Sequence, residues 1–265
     1  MTKIEGVILD WAGTAVDFGC FAPVNVFLDI FKNAGVEVTL QEAREPMGML
    51  KIDHIRTMLQ MPRIQTAWEK QYGRASNEDD VATLYEQFEE QLMVSLATYT
   101  DPIPTVLNTV TALKASGVKV GSTTGYTRGM MDVVVPNAKA KGYEPHTVVT
   151  PDDVDGFGRP YPYMIFENMK RLGLQDVRKI VKVGDTTSDI REALHAGIWA
   201  VGVIIGSSEM GLSQQEFEAL DEEQKQHVID STRQKFETVG AHFTIETMEQ
   251  LPQLIEKLEQ QLSMA

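Results

Sequence analysis

One cysteine in 265 residues, Cys20, leaves no partner for an intramolecular disulfide and suits a reducing compartment. Positive charge is also scarce: 24 Lys and Arg face 38 Asp and Glu, for a formal net charge of −14. That deficit argues against nucleic acid or an anionic membrane as partner, because no basic excess exists to meet phosphates. An anionic substrate would need positive charge gathered locally, from a metal ion or a few Lys and Arg. No apolar run approaches the length of a membrane span, and no N-terminal apolar h-region is present. A soluble, cytoplasmic protein is expected. Repeats and low-complexity tracts are absent too. What is present is an ordinary globular composition, 43% hydrophobic and 23% charged, long enough for one large domain or a core with a smaller insert.

From about residue 105 onward, short β-branched runs trade places with helical segments. A helix over 105–116 ends at Gly117, and the strand "VKVGSTT" follows. A helix near 128–141, the strand "HTVVT" and a helix at about 161–172 come next. They lead to the strand "KIVKVGD", a helix at 188–196 ending at Gly197, and the strand "IWAVGVIIG". With the first strand, residues 4–9, this alternation predicts an α/β fold: a Rossmann-like parallel sheet with helices on both faces. Residues 19–100 break the pattern, carrying helical periodicity and no convincing strand. The expected division is a core of 1–18 and 101–265 and a small helical cap of 19–100, inserted after the first strand. The stretch "TDPIP", 100–104, serves as hinge or linker. Beyond residue 208 the chain is acidic and amphipathic, with "QLIEKLEQQL" read as a terminal helix.

In open α/β sheets, ligands sit outside the carboxyl ends of the strands. Those ends carry Asp10 in "GVILDWAGTAVD", the Ser122-Thr123-Thr124 cluster, and Asp185 in "KVGDTTSD". Two converging carboxylates with hydroxyls between them suit Mg²⁺ held by protein oxygens, substrate and water. A carboxylate nucleophile beside such a metal is an arrangement for phosphoryl transfer through an aspartyl-phosphate. Arg159, in "GRPYP", could hold phosphoryl oxygens bidentately. Taken singly, each has a plainer explanation: an Asp after a strand is usually a cap or turn residue, Ser-Thr clusters form turns, and a lone Arg is a surface charge.

The joint order is what carries weight: strand-Asp-x-x-Gly-Thr, strand-Ser/Thr, Arg before a helix, strand-Gly-Asp-x-x-x-Asp. In these four motifs the chain resembles the haloacid dehalogenase superfamily. Phosphatases of that superfamily usually carry a second Asp two residues after the nucleophile, as a general acid for a departing alkoxide. Here that residue is Ala12. Its side chain cannot donate a proton, although its carbonyl could ligate a metal.

The insert contains "EPMGMLKIDHIR", 45–56, with Lys51 and His54 on one face of a helix. Met47, Met49, Leu50 and Ile52 give Lys51 an apolar setting, which favours a neutral amine able to form an imine with a carbonyl. Alone, a solvated helix lysine is the commoner case. Together, "DWAGT", "CFAP", "PMGMLKIDH", "GSTTGYT", "VTPDDV", "GRPYP" and "KVGDTTSD" are similar to the phosphonoacetaldehyde hydrolase (phosphonatase) family along essentially the full length. The resemblance implies a Mg²⁺-dependent homodimer that hydrolyses phosphonoacetaldehyde, a small phosphonate, to acetaldehyde and phosphate. It assigns the nucleophile to Asp10, the Schiff base to Lys51, and metal ligation to Asp10, the Ala12 carbonyl and Asp185. Thr124, Arg159 and Asp189 take supporting positions. The preference for Thr124 over Ser122 or Thr123 comes from the resemblance alone. His54 either shuttles protons or is structural, and Cys20, Met47 and Tyr126 line the junction of core and cap. Two other functions are weighed against this one. A phosphatase or phosphomutase for C–O–P esters is disfavoured by Ala12, and a non-catalytic binding protein by the intact Asp10, Asp185 and Arg159.

Overall fold

The computed structural model describes residues 3–264. Five parallel strands form one sheet in the order β2-β1-β3-β4-β5: β1 (Gly6–Leu9), β2 (Lys119–Ser122), β3 (Ile180–Gly184), β4 (Trp199–Val203) and β5 (Phe243–Ile245). Between β1 and β2 run α1 (Phe21–Asn33), α2 (Leu40–Arg44), α3 (Lys51–Leu59), α4 (Pro62–Tyr72), α5 (Glu78–Ser95) and α6 (Val106–Ala115). After β2 come α7 (Arg128–Ala140) and α8 (Tyr163–Leu172), while α9 (Thr187–Ala196) joins β3 to β4. The chain ends with α10 (Gln214–Ala219), α11 (Glu222–Thr238), β5 and α12 (Leu251–Met264).

The strands are apolar on both faces because both are covered, and side chains alternate between two cores. Val7, Leu9, Val181, Val183, Val201 and Val203 pack with residues of α6, α7 and α12, including Val110, Met131 and Leu258. Ile8, Ile180 and Ala200 pack on the other face with Ile165 of α8, Ile190 of α9 and Phe236 of α11. Leu9 pairs with Ser122 on one side and Val183 on the other. Parallel pairing therefore brings the residues that follow β1, β2 and β3 to a single edge.

Residues 21–98 hold helices joined by short connections, with no strand among them. Their apolar stripes face one another, with the Phe27 ring of α1 stacked on Phe88 of α5 at 4.4 Å and Ile55 and Met58 of α3 buried beside them. The two chain segments that connect this bundle to the sheet run side by side. Asp17 N donates to Asp101 O at 3.2 Å, and Ile103 N donates to Ala15 O at 2.9 Å.

Two elements differ from the sequence reading. "HTVVT", 146–150, is not a strand, and only an isolated bridge joins Thr123 to Val149. Its backbone reaches the free edge of β2 at two points, His146 N donating to Val120 O at 2.7 Å and Val149 N to Ser122 O at 3.0 Å, and side chains share that edge. The Asn168 amide of α8 bonds both Ser122 N and Ser122 O, and Val120 N donates to the His146 ring at 2.9 Å. Conversely, β5 lies in the acidic C-terminal stretch, where three residues are too few to show alternation. The other anticipated strands and helices are present within a few residues of their expected bounds. No helix among the described residues is long and apolar enough to cross a membrane.

Candidate active site

The turn after β1 delivers Asp10 to the sheet edge and folds back at once. Thr14, Ala15 and Val16 all donate backbone N–H groups to Trp11 O. Gly13 sits at φ +85°, and a Cβ there would lie 2.0 Å from Asp185 Oδ2, so only glycine lets the two motifs meet. Asp185 follows β3, accepting from Thr14 Oγ1 at 3.1 Å and from Ser208 N at 2.8 Å. Asp189 lies in the first turn of α9, whose start is closed by a capping box with Thr186. Oxygens of Asp10, Asp185 and Asp189 lie within 4.8 Å of one another, and all three side chains are buried.

Arg159 is fully enclosed and grips this cluster. Its Nη1 and Nη2 donate to the two Asp10 oxygens at 3.0 and 2.8 Å, while Nε donates to Glu192 at 3.0 Å. Burial alone would raise the Asp10 pKa, but the charges of Arg159 and Lys182 and the Arg159 and Trp11 hydrogen bonds outweigh it, holding the carboxyl at about 2. Asp10 is thus an ionised carboxylate held in a fixed orientation. Asp185 has no such cation, and burial followed by repulsion from Asp10 and Asp189 pushes its pKa well up.

Lys182 and Glu192 were not singled out in the sequence, and Thr123 was named only within the Ser122-Thr123-Thr124 cluster, yet the three complete the network. Lys182 Nζ lies 2.6 Å from Thr123 Oγ1, 3.0 Å from Asp189 and 3.3 Å from Glu192. The available signal was the lysine inside the apolar run "KIVKVGD", on a strand whose two faces are both buried. Thr123 rather than Thr124 bonds Arg159, at 2.9 Å, whereas Thr124 Oγ1 accepts from Tyr126 N.

Four carboxylates and two cations leave this buried cluster two negative charges in excess when every group is ionised. Glu192 Oε1 lacks a hydrogen-bond partner, Asp189 Oδ1 meets only the Lys182 and Arg159 cations at 3.0 and 3.2 Å, and no described residue donates to the Ala12 carbonyl. Oxygen donors with unspent valence around a net dianion fit a hard divalent cation.

Lys51, the first residue of α3, is 3% exposed and borders the same cavity as Asp10, Ala12, Cys20, Thr124 and Arg159. Its Nζ is 3.9 Å from Met47 Sδ and 5.4 Å from the Tyr126 ring centroid. Burial lowers its pKa, favouring the free amine. The cavity holds about 20 Å³, room for little more than one water, so the insert is seated tightly on the sheet edge. His54 does not border this cavity. Its ring stacks on Phe27 at 3.9 Å, Nε2 lies 2.9 Å from Ala43 O, and Nδ1 has no partner. Burial, then the charge of Lys51, keeps the imidazole neutral.

A family model described as haloacid dehalogenase-like hydrolase matches residues 4–197. A phosphonoacetaldehyde hydrolase of Lysinibacillus sphaericus is 63% identical over 98% of this chain and 97% of its own. The chain belongs to the phosphonoacetaldehyde hydrolase family of haloacid dehalogenase-like hydrolases. A second member, from Bacillus cytotoxicus, is 54% identical over 98% of both chains. The crystal structure of a phosphonoacetaldehyde hydrolase like protein from Oleispira antarctica superposes with a TM-score of 0.96 at 39% identity, covering 100% of this chain and 95% of the other. Membership in this family makes the chain an enzyme of the hydrolase class, and the arrangement of Asp10, Lys51 and Arg159 can be read chemically.

Proposed function

We propose that this chain hydrolyses the carbon–phosphorus bond of phosphonoacetaldehyde through a Lys51 imine and an Asp10 aspartyl-phosphate. The observation that carries the reading is the shared cavity of Asp10 and Lys51, with Ala12 where an alkoxide-forming reaction would need an acid. A bare carbanion is a poor leaving group, so the lysine first makes a better one. The neutral Lys51 amine adds to the aldehyde carbon, one proton is taken up from solvent, water departs, and a protonated imine remains. Asp10 attacks phosphorus, the carbon–phosphorus bond breaks, and its electron pair moves into an enamine. Water then cleaves the Asp10 acyl phosphate, releasing phosphate. The enamine takes a proton at carbon, and hydrolysis of the iminium frees acetaldehyde and Lys51. No alkoxide forms, so Ala12 deprives the reaction of nothing.

Arg159 presents to the phosphonyl oxygens the Nη edge that it turns toward Asp10. Asp10, Asp185 and the Ala12 carbonyl, with Asp189 in support, would hold Mg²⁺, which when bound neutralises developing charge on those oxygens. His54 offers an unpartnered Nδ1 one turn from Lys51, a second group to carry protons near the amine. The boundaries 1–18 and 101–265 for the core and 19–100 for the cap belong to this proposal, as do the homodimer and the cytoplasmic setting. The small volume of the cavity, about 20 Å³, supports a cap that opens to admit substrate and closes to exclude bulk water during imine formation.

The deciding experiment is intact mass after borohydride treatment with phosphonoacetaldehyde, followed by peptide mapping. A reduced two-carbon adduct on Lys51, absent in Lys51→Arg, supports the imine. Phosphate release that needs Asp10 and Mg²⁺ but leaves no adduct would keep the phosphoryl chemistry and remove Lys51 from it.

A further inference from the structure

Arg44 ends α2, shortly before the turn that leads to Lys51, and none of the chemistry above uses it. Its Nη1 donates to Gly19 O at 2.7 Å and lies 3.3 Å from both the carbonyl and the hydroxyl of Ser208. The guanidinium also covers the Phe21 ring at 4.8 Å. Gly19 belongs to the segment that leads from the sheet into the helical bundle. Ser208 lies in the loop after β4, and its own N–H holds Asp185 at 2.8 Å. One side chain of the insert therefore touches both the connection that the insert turns on and the loop that fixes a carboxylate of the site.

The arrangement is poor as a general stabiliser. Nε and Nη2 of Arg44 are buried without partners, which is unfavourable for a cation, and a cavity of about 570 Å³ lies beside the residue. What the position does provide is geometry. The chain that follows Arg44 packs against the sheet edge closely enough that Gly48 has no room for a Cβ beside Thr186 Oγ1, 2.3 Å away. Arg44 is the guanidinium anchoring that approach from the insert side.

We infer that Arg44 is a positioning residue that seats the helical insert across the Gly19 and Ser208 carbonyls and so brings Lys51 to Asp10. This rests on the proposed function only in requiring Lys51 at Asp10. Seating is a pre-equilibrium, so its loss lowers the competent fraction and acts mainly on apparent affinity.

Cys20 is the single thiol, is buried and borders the small cavity of Asp10 and Lys51, so its reaction with a thiol reagent reports unseating without any turnover. Arg44→Ala and Arg44→Lys should both label at least about tenfold faster than wild type while circular dichroism and melting are retained. KM for phosphonoacetaldehyde should rise more than kcat falls. Arg74→Ala, which removes a cation paired with Asp80 inside the insert, should label at the wild-type rate. Should Arg44→Ala fail to fold, Arg44→Lys carries the test, since it keeps the charge but loses the guanidinium plane that covers Phe21. Wild-type labelling in the folded Arg44 variants would overturn the assignment. A missing borohydride adduct in the wild type would instead remove the imine and leave the labelling result standing.

Discussion

Arg159 is held from two sides, and the sides differ in what the reaction asks of them. Its Nη edge faces Asp10 and must be free to meet a substrate anion, whereas its Nε edge is tied to Glu192 at 3.0 Å. Glu192 accepts also from Thr123 and lies beside Lys182. Glu192→Gln would keep the shape but remove the charge that sets two buried cations. The expected outcome is a loss of roughly 10- to 100-fold in kcat/KM, concentrated in KM, measured by steady-state phosphate release. An unchanged KM would make Glu192 a packing residue. Asp10, Lys51, Arg159 and Asp185 were legible because each stands at a strand end or within a recognisable motif. Glu192 and Lys182 were not, because their meaning comes from α9 crossing β3, which no spacing along the chain expresses. Thr123 and Thr124 are adjacent in sequence, and only the direction of each side chain separates the one on Arg159 from the one on Tyr126 N.

Among the elements, the loop between α2 and α3 does the most with the fewest residues. Gly48 has φ +87°, its carbonyl accepts from Arg159 at 3.3 Å, and a Cβ would lie 2.3 Å from Thr186 Oγ1. Gly48→Ala adds left-handed strain of roughly 1–2 kcal/mol and a steric block at the same place. Displacing Lys51 by about an ångström is expected to lower kcat/KM by roughly 100-fold, with the borohydride adduct reduced in parallel. Wild-type turnover in that variant would show that the contact is dispensable. The alternation of strands with helices made the sheet and its flanking helices readable, and helical periodicity made the insert readable. The edge of β2 misled because "HTVVT" has strand composition, while its backbone bonds β2 only through His146 N and Val149 N, and the Asn168 and His146 side chains take the neighbouring edge groups. A connecting residue carries its own pH signature. Asp17 caps α1, accepting from Phe21 N and Ala22 N, yet burial pushes its carboxyl up to about 7. With the folded pKa above the unfolded one, its stability contribution is full below about pH 4 and is lost as pH rises toward 7, a swing of about 4 kcal/mol at most. Asp17→Asn should therefore gain stability relative to wild type across that window in urea titrations. A constant difference between the two would remove Asp17 from the pH response.

At the scale of the whole molecule, a chain of net charge −14 must gather an anionic substrate at a site whose own groups are mostly carboxylates. Arg159 and Lys182 offset two of the four buried acids, leaving the remainder to a divalent cation. Such an ion binds the folded chain and not the unfolded one, so at a hundred times its Kd it adds about 2.7 kcal/mol of stability. For a protein of this size that is a rise in Tm of roughly 5–10 °C on adding Mg²⁺ after chelation, measured by calorimetry. Asp185→Asn should abolish the rise while keeping the fold, because the amide preserves the bond from Ser208 N. The response also has a direction in pH. Burial and its two acidic neighbours push the Asp185 carboxyl up, which favours its protonated form, and a binding cation must displace that proton. Apparent Mg²⁺ affinity should therefore strengthen from pH 6 to pH 8, with protons released on binding in calorimetric titrations run in two buffers of different ionisation enthalpy. Affinity that weakened over that interval, or binding without proton release at pH 6, would mean that Asp185 enters the site already ionised and that the excess charge of the cluster is balanced elsewhere.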